Sequence, residues 1–165
     1  RSSFSTSSSG SSHSSSGGTS AGLQAGRDVL GAPWRVLGVP VCDDGAYFRE
    51  RVAAIREELV SEFGLPSARD GGPEDRYVEG CQGLGYGLAT PEELRAYRDL
   101  AVEEGVLVDP CYTGKGYLGL ERALISGELS PGDRVLFWHT GGAFAHFSHA
   151  DGWVDALDLG RSNPP

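Results

Sequence analysis

Short, near-continuous apolar runs alternate with helix-period segments along most of this chain, and that alternation restricts the fold more than any other feature. WRVLGVPVC at 34–42 and RVLFWHT at 134–140 have the Val- and Leu-rich character of strands buried on both faces of a parallel sheet. Pro40 puts the end of the first run, or a sheet edge, at that point. Residues 19–30 predict a helix stopped by Gly31. Phe48, Val52, Ile55, Leu59 and Phe63 share one helical face, and Gly64 ends that helix. Residues 65–75 read as a loop and 76–79 as a short strand. Thr90, Pro91 and Glu93 supply a cap, a first-turn proline and a capping-box partner. Their helix runs to about Glu104 and ends at Gly105. The run VLVD then leads through DPCYTGKG into another helix ending near Gly127. The pattern is α/β: a mostly parallel sheet with flanking helices. Ligands of such sheets bind at the carboxyl ends of strands, which singles out the loops at 16–20, 83–87, 109–114 and 140–142.

The 165 residues suffice for one domain or for part of a larger one. A net charge of −9 disfavours nucleic acid as a partner, and no apolar run is long enough to span a bilayer. Residues 1–15 read as a disordered Ser-rich leader, 16–150 as the folded unit and 151–165 as a tail. The chain starts at Arg1, so it reads as truncated at its N-terminus. The leader is basic and acid-free, which fits the end of an organelle transit peptide as well as a plain disordered extension. An intracellular location, cytoplasmic or organellar, is the expectation. Cys42, Cys81 and Cys111 form no CxxC pair and read as small apolar fillers. No metal is expected: His139, His146 and His149 lack acidic or thiol partners at ligand spacing.

Three loops carry residues suited to chemistry. Ser16, Gly17, Gly18 and Thr19 open a helix, where backbone N–H groups, hydroxyls and the helix dipole suit a phosphate. The same residues could simply finish a Ser/Gly linker, and the ending of a nucleotide P-loop is missing. Tyr112 and Thr113 fall at a strand-to-helix turn that faces a pocket, unless Tyr112 is core packing and Thr113 a helix cap. Thr140 ends a strand, where it either caps or donates to a ligand. Lys115 is the only lysine in the chain; a structural role at a helix start outweighs a covalent one.

Taken in order, SGGTSAGL at 16–23, WRVLGVPVCDD at 34–44, GYG at 85–87, GVLVDPCYTGKGYLGL at 105–120 and RVLFWHTGG at 134–142 resemble one enzyme family. This is the C-terminal half of the D-cysteine desulfhydrase and 1-aminocyclopropane-1-carboxylate deaminase family. The resemblance implies a partial tryptophan synthase β-like domain of fold type II, with pyridoxal 5'-phosphate as cofactor. It further implies that Ser16, Gly17, Gly18 and Thr19 cradle the cofactor phosphate, and that Thr140, followed by Gly141, binds the pyridine nitrogen. Tyr112 would lie against the cofactor ring and Tyr86 would face the substrate, both as catalytic residues. Thr113 stands where the deaminase branch usually has glutamate, which favours α,β-elimination from D-cysteine over opening of a cyclopropane ring. The implied partner is a small D-amino acid, within a homodimer of the full-length enzyme. The family's covalent lysine lies in an Asn-Lys motif of the N-terminal half, with no match here, and Lys115 aligns with the YTGK segment instead. The sequence therefore reads as a fragment of a lyase, with a catalytically inactive remnant of the family as the second reading. A doubly wound nucleotide-binding domain is the third, weakened by the lack of an acidic ribose ligand after a GxGxxG.

Overall fold

A computed structural model describes residues 17–66 and 75–157. Among the described residues, five helices, two short strands and a 3-10 segment follow one another in the order α1 (Gly18–Leu30), β1 (Leu37–Gly38), α2 (Gly45–Phe63), β2 (Arg76–Tyr77), α3 (Pro91–Glu104), α4 (Thr113–Ile125), the 3-10 segment Ala143–His149 and α5 (Ala150–Ala156). The strands pair in parallel, with Leu37 opposite Arg76 and Gly38 opposite Tyr77.

The helix boundaries follow the end signals in the sequence. Asp44 caps α2 by accepting from the Tyr47 backbone N–H at 2.8 Å. Thr90 and Glu93 close the expected capping box on α3: Glu93 N donates to Thr90 Oγ1 at 3.2 Å, and Thr90 N donates to Glu93 Oε2 at 2.7 Å. Gly31, Gly64 and Gly105 end α1, α2 and α3.

The strands are shorter than their apolar runs. Only Leu37 and Gly38 of the first run form a ladder, and among the described residues 106–109 and 134–140 form none. A strand is defined by its neighbour, and these runs have no ladder partner here, so Leu107, Leu136 and Trp138 are exposed. The α2 stripe is likewise buried only in its first half. Phe48 and Val52 are buried, whereas Phe63 is 69% exposed. Its packing partner α1 has 13 residues against 19, about 20 Å of helix against about 28 Å. Residues beyond 150, expected as a tail, include most of a helix of about two turns. This α5 packs on α3, where Arg98 Nη1 donates to the Ala156 carbonyl at 2.6 Å.

Two apolar clusters form the core. Val78, Cys81, Ala123 and Leu129 make one, and Leu94, Tyr97, Val108 and Ala156 the other. A buried ion network locks the α1 end of the molecule. Arg27 Nε donates to Asp28 Oδ1 at 2.9 Å and Arg27 Nη1 reaches Asp75 Oδ1 at 2.5 Å, while Arg56 Nη2 bonds Asp28 Oδ2. Asp75 also accepts from the Val36 backbone N–H at 2.7 Å, which ties the start of β1 to α1.

Burial opposes the charge on Asp28, but the guanidinium groups of Arg27 and Arg56 outweigh it and hold the carboxyl below its ordinary value of 3.8. The stabilisation is therefore complete above the unfolded-state value and is lost as pH falls through the lower folded value. Asp28→Asn should cost about 3 kcal/mol near neutral pH, with the difference from wild type starting to shrink near pH 3.8 and continuing to fall through the lower folded value. Urea unfolding of both proteins across that range measures it, and a pH-independent difference would sink the assignment. A second test concerns α4 against α3. A Cβ on Gly114 would lie 2.5 Å from Tyr97 Cζ and 2.6 Å from the Asp109 carbonyl oxygen, whereas one on Gly116 would meet Phe137 at an ordinary 3.4 Å. Gly114→Ala should lower stability by about 1–3 kcal/mol, and Gly116→Ala should leave it unchanged or raise it. Equal urea midpoints for the two variants would contradict this packing.

Candidate active site

The turn before α4 is built around one carboxylate. Asp109 is 1% exposed and accepts four hydrogen bonds. Oδ2 takes the backbone N–H groups of Cys111 and Tyr112 at 2.7 and 2.8 Å, and Oδ1 takes the backbone N–H and the Oγ1 hydroxyl of Thr113 at 2.8 and 2.6 Å. Negative charge is favoured there by the N-terminal end of the helix dipole. In return the Asp109 backbone N–H donates to Thr113 Oγ1 at 2.8 Å. Thr113 is thus buried at 3% exposure, with its hydroxyl bonded to Asp109 as donor and as acceptor. The sequence signal for this arrangement is Asp followed by Pro ahead of a helix start, a composition that favours a side-chain-bonded turn.

The turn presents Tyr112 to the glycine-rich loop at 83–87. The phenol hydroxyls of Tyr86 and Tyr112 are hydrogen-bonded, and the rings meet edge-on at 5.5 Å between centroids. Tyr86 is 40% exposed and Tyr112 half-buried, so the pair faces outward. The loop is anchored by Gln82, whose Nε2 donates to the Asp43 carbonyl at 2.9 Å.

The 140–142 loop reaches the same place from the other side. His139 Nε2 donates to the Leu107 carbonyl at 2.8 Å, which holds the 134–140 run beside the segment leading to Asp109. Gly142 has φ +98, and a Cβ there would lie 2.3 Å from the Asp109 carboxyl carbon, so both backbone and space demand glycine. Thr140 is exposed at the mouth of this loop, next to Gly141.

The structure therefore brings Tyr86, Tyr112, Thr113 and the loop carrying Thr140 and Gly141 into one cluster. Gly17, Gly18 and Thr19 belong to a different contact: Gly17 is the N-cap of α1 at φ +67, set against Arg51 and Val52 of α2. Among the described residues no side chain caps that end, and no acidic residue lies in its first turn. Ser16 lies outside the described residues. Two concavities, of about 310 and 500 Å³, lie elsewhere, and neither is lined by Tyr86 or Tyr112.

Other groups near the cluster are unsuited to proton or nucleophile chemistry. Lys115 is fully buried and donates to Glu93 Oε1 at 2.7 Å. Burial raises the thiol pKa of Cys81 and of Cys111, with neighbouring Asp109 adding to the latter, so both stay protonated. Tyr97 is pushed far above its ordinary range by burial and by Glu93 and Asp109. Among the described residues no group of three or more His, Cys, Asp and Glu could hold a metal, and no helix is long and apolar enough to cross a membrane.

Comparison with known proteins places this geometry in a family. Residues 12–141 match the model of the pyridoxal-phosphate dependent enzymes. A D-cysteine desulfhydrase of Salmonella newport is 34% identical over 129 residues, which are 78% of this chain and 38% of that protein. A Pyrococcus abyssi protein provisionally named 1-aminocyclopropane-1-carboxylate deaminase is 34% identical over 138 residues, 83% of this chain and 40% of its own length. A crystal structure of a homologue of that deaminase superposes with a TM-score of 0.71 at 32% identity, covering 87% of this chain and 42% of the other. The chain thus spans about 40% of the length of the curated relatives it matches. Its helices and small parallel sheet are a part of the type II fold expected from the motifs. The chain belongs to the pyridoxal-phosphate-dependent enzyme family.

Proposed function

We propose that this chain forms one wall of the active site of a pyridoxal-phosphate lyase acting on a small D-amino acid, D-cysteine first among them. The observation that carries this reading is the Tyr86–Tyr112 hydroxyl pair, set beside the Thr140 loop at the start of α4. The overall reaction consumes D-cysteine and water and yields pyruvate, hydrogen sulfide and ammonia. The 1-aminocyclopropane-1-carboxylate deaminase reaction is the alternative, and both activities appear among the names of the relatives. An inactive relative of these enzymes is the remaining reading. In the complete enzyme we propose a homodimer in an intracellular compartment, cytoplasmic or organellar.

The residues present fit the cofactor. The α1 start, with a left-handed Gly17 and no acidic residue in its first turn, is where Gly17, Gly18 and Thr19 would hold its phosphate. The exposed Thr140 hydroxyl is free of strand burial and would donate to the pyridine nitrogen. Bound pyridoxal phosphate would supply an electron sink that acidifies the substrate Cα–H. Tyr112 would lie against the cofactor ring, and Tyr86 would face the substrate. A hydrogen-bonded phenol pair can hold a proton between two oxygens and pass it to a leaving sulfur. Lys115 takes no covalent part, because its amine is buried in an ion pair and cannot leave without stranding the Glu93 carboxylate.

Binding of pyridoxal phosphate to the full chain, read by tryptophan fluorescence, tests the reading. Inorganic phosphate should compete, and Thr19→Glu, which adds a carboxylate to the first turn of α1, should weaken binding about tenfold. Borohydride treatment of the mixture should leave no specific adduct at Lys115 on peptide mapping. Binding indifferent to phosphate and to Thr19→Glu would remove the phosphate role. A stoichiometric, phosphate-dependent adduct at Lys115 would overturn the assignment of that lysine.

A further inference from the structure

We propose that Asp109 is the positioning residue of the site, the group through which Thr113 and the 140–142 loop set the place of the Tyr112 ring. This rests on the active-site reading above and adds to it a residue to which that reading gives no role.

The argument starts from donor count. A carboxylate is all acceptor, and the four donors around Asp109 divide two to each oxygen. An asparagine would put an N–H₂ group at one of those oxygens, facing two N–H donors and leaving two buried groups unpaired. The Oδ2 pair, Cys111 N and Tyr112 N, is the one that fixes the backbone of Tyr112, while the Oδ1 pair fixes Thr113. Glutamate is excluded by space, because Gly142 already closes on the carboxylate from the far side. One side chain therefore determines the Tyr112 backbone, the Thr113 rotamer and the approach of the loop that follows Thr140.

A consequence for Thr113 follows. Its hydroxyl is spent on Asp109 in both directions and is shielded from solvent. Its influence on substrate choice then runs through the shape of the Asp109 turn and the resulting attitude of Tyr112, not through a hydrogen bond to substrate. Thr113→Ser keeps both bonds and should preserve that attitude. Thr113→Val keeps the volume but loses both.

The test reads the Tyr86–Tyr112 contact directly in the full chain, without cofactor, so it succeeds or fails independently of pyridoxal phosphate binding. With tyrosine rings carbon-13 labelled, the wild-type protein should give a ring-to-ring nuclear Overhauser cross-peak between the two residues. Asp109→Asn and Thr113→Val should lose that cross-peak at unchanged helix content, and Thr113→Ser should retain it. A merely structural role would lower the melting temperature while leaving the cross-peak in the folded fraction. If Asp109→Asn does not fold, Gly142→Ala decides, because it displaces the carboxylate without deleting it. Loss of the cross-peak in folded Gly142→Ala supports the proposal. A wild-type cross-peak in any folded variant that breaks or displaces the carboxylate's bonds would overturn it.

Discussion

The Lys115–Glu93 ion pair is the constraint on which the arrangement of the site depends. Glu93 uses one oxygen to complete the capping box of α3 and the other to bind Lys115 in the first turn of α4. One turn later Tyr97 fills the space left open at Gly114. The two helices are thus clamped twice near their N-terminal ends, once by charge and once by shape. A buried pair of this kind returns little net stability, because both ions lose their hydration, but removing either partner strands the other. Its effect is on geometry: a shift of α4 against α3 would break the pair, and the turn carrying Tyr112 moves with α4. The same clamp closes the Gly83 end of the loop that carries Tyr86, since a Cβ at Gly83 would fall 2.6 Å from Lys115 Nζ.

Two glycine-rich helix starts in this chain are used in opposite ways. The α4 start carries its own anion, with the Asp109 carboxylate taking the N–H groups of Cys111, Tyr112 and Thr113. The α1 start has a left-handed glycine, no side-chain cap and no acid in its first turn. Placing a carboxylate at one end and withholding it at the other divides the work within a strongly acidic protein. At α4 the dipole is spent on holding tyrosine and threonine in place; at α1 no acidic residue of the first turn draws on it.

Helix ends were legible in the sequence because their signals are local. Thr90, Pro91 and Glu93 specify a start within four residues, and Gly31, Gly64 and Gly105 specify stops one residue past the last turn. Tyr86 and Tyr112 were legible through their motifs, though no spacing rule says that residues 26 apart share a hydrogen bond. Asp109 was passed over because its role is carried by bonds that its neighbours donate, and the Asp-Pro pair reads as a loop punctuator. Helix α5 was missed because DGW offers neither a cap nor a period, and its helicity comes from packing on α3. The buried ion network joining Arg27, Asp28, Arg56 and Asp75 brings together residues up to 48 positions apart, a distance no pattern reading spans.

The strand runs failed differently, and the failure is informative. Near-continuous apolar composition signals burial on both faces of a sheet, which is a statement about neighbours and not about the segment. Val108 meets that expectation and is 1% exposed, yet Leu107 beside it is 71% exposed and Leu136 81%. Leaving each such side chain in water forgoes about 1.5–3 kcal/mol. Segments with no use for a second face have no physical reason to carry apolar residues on it. What residues 106–109 and 134–140 lack is a ladder partner, not strand character. The relatives are about two and a half times the length of the matched segment, so the family fold has polypeptide to supply one. The proposed active-site wall sits at the ends of these same runs, which links the two facts. Tyr86, Leu107 and Leu136 are all exposed, at 40%, 71% and 81%, so the proposed wall and the bare runs alike lack a covering partner among the described residues.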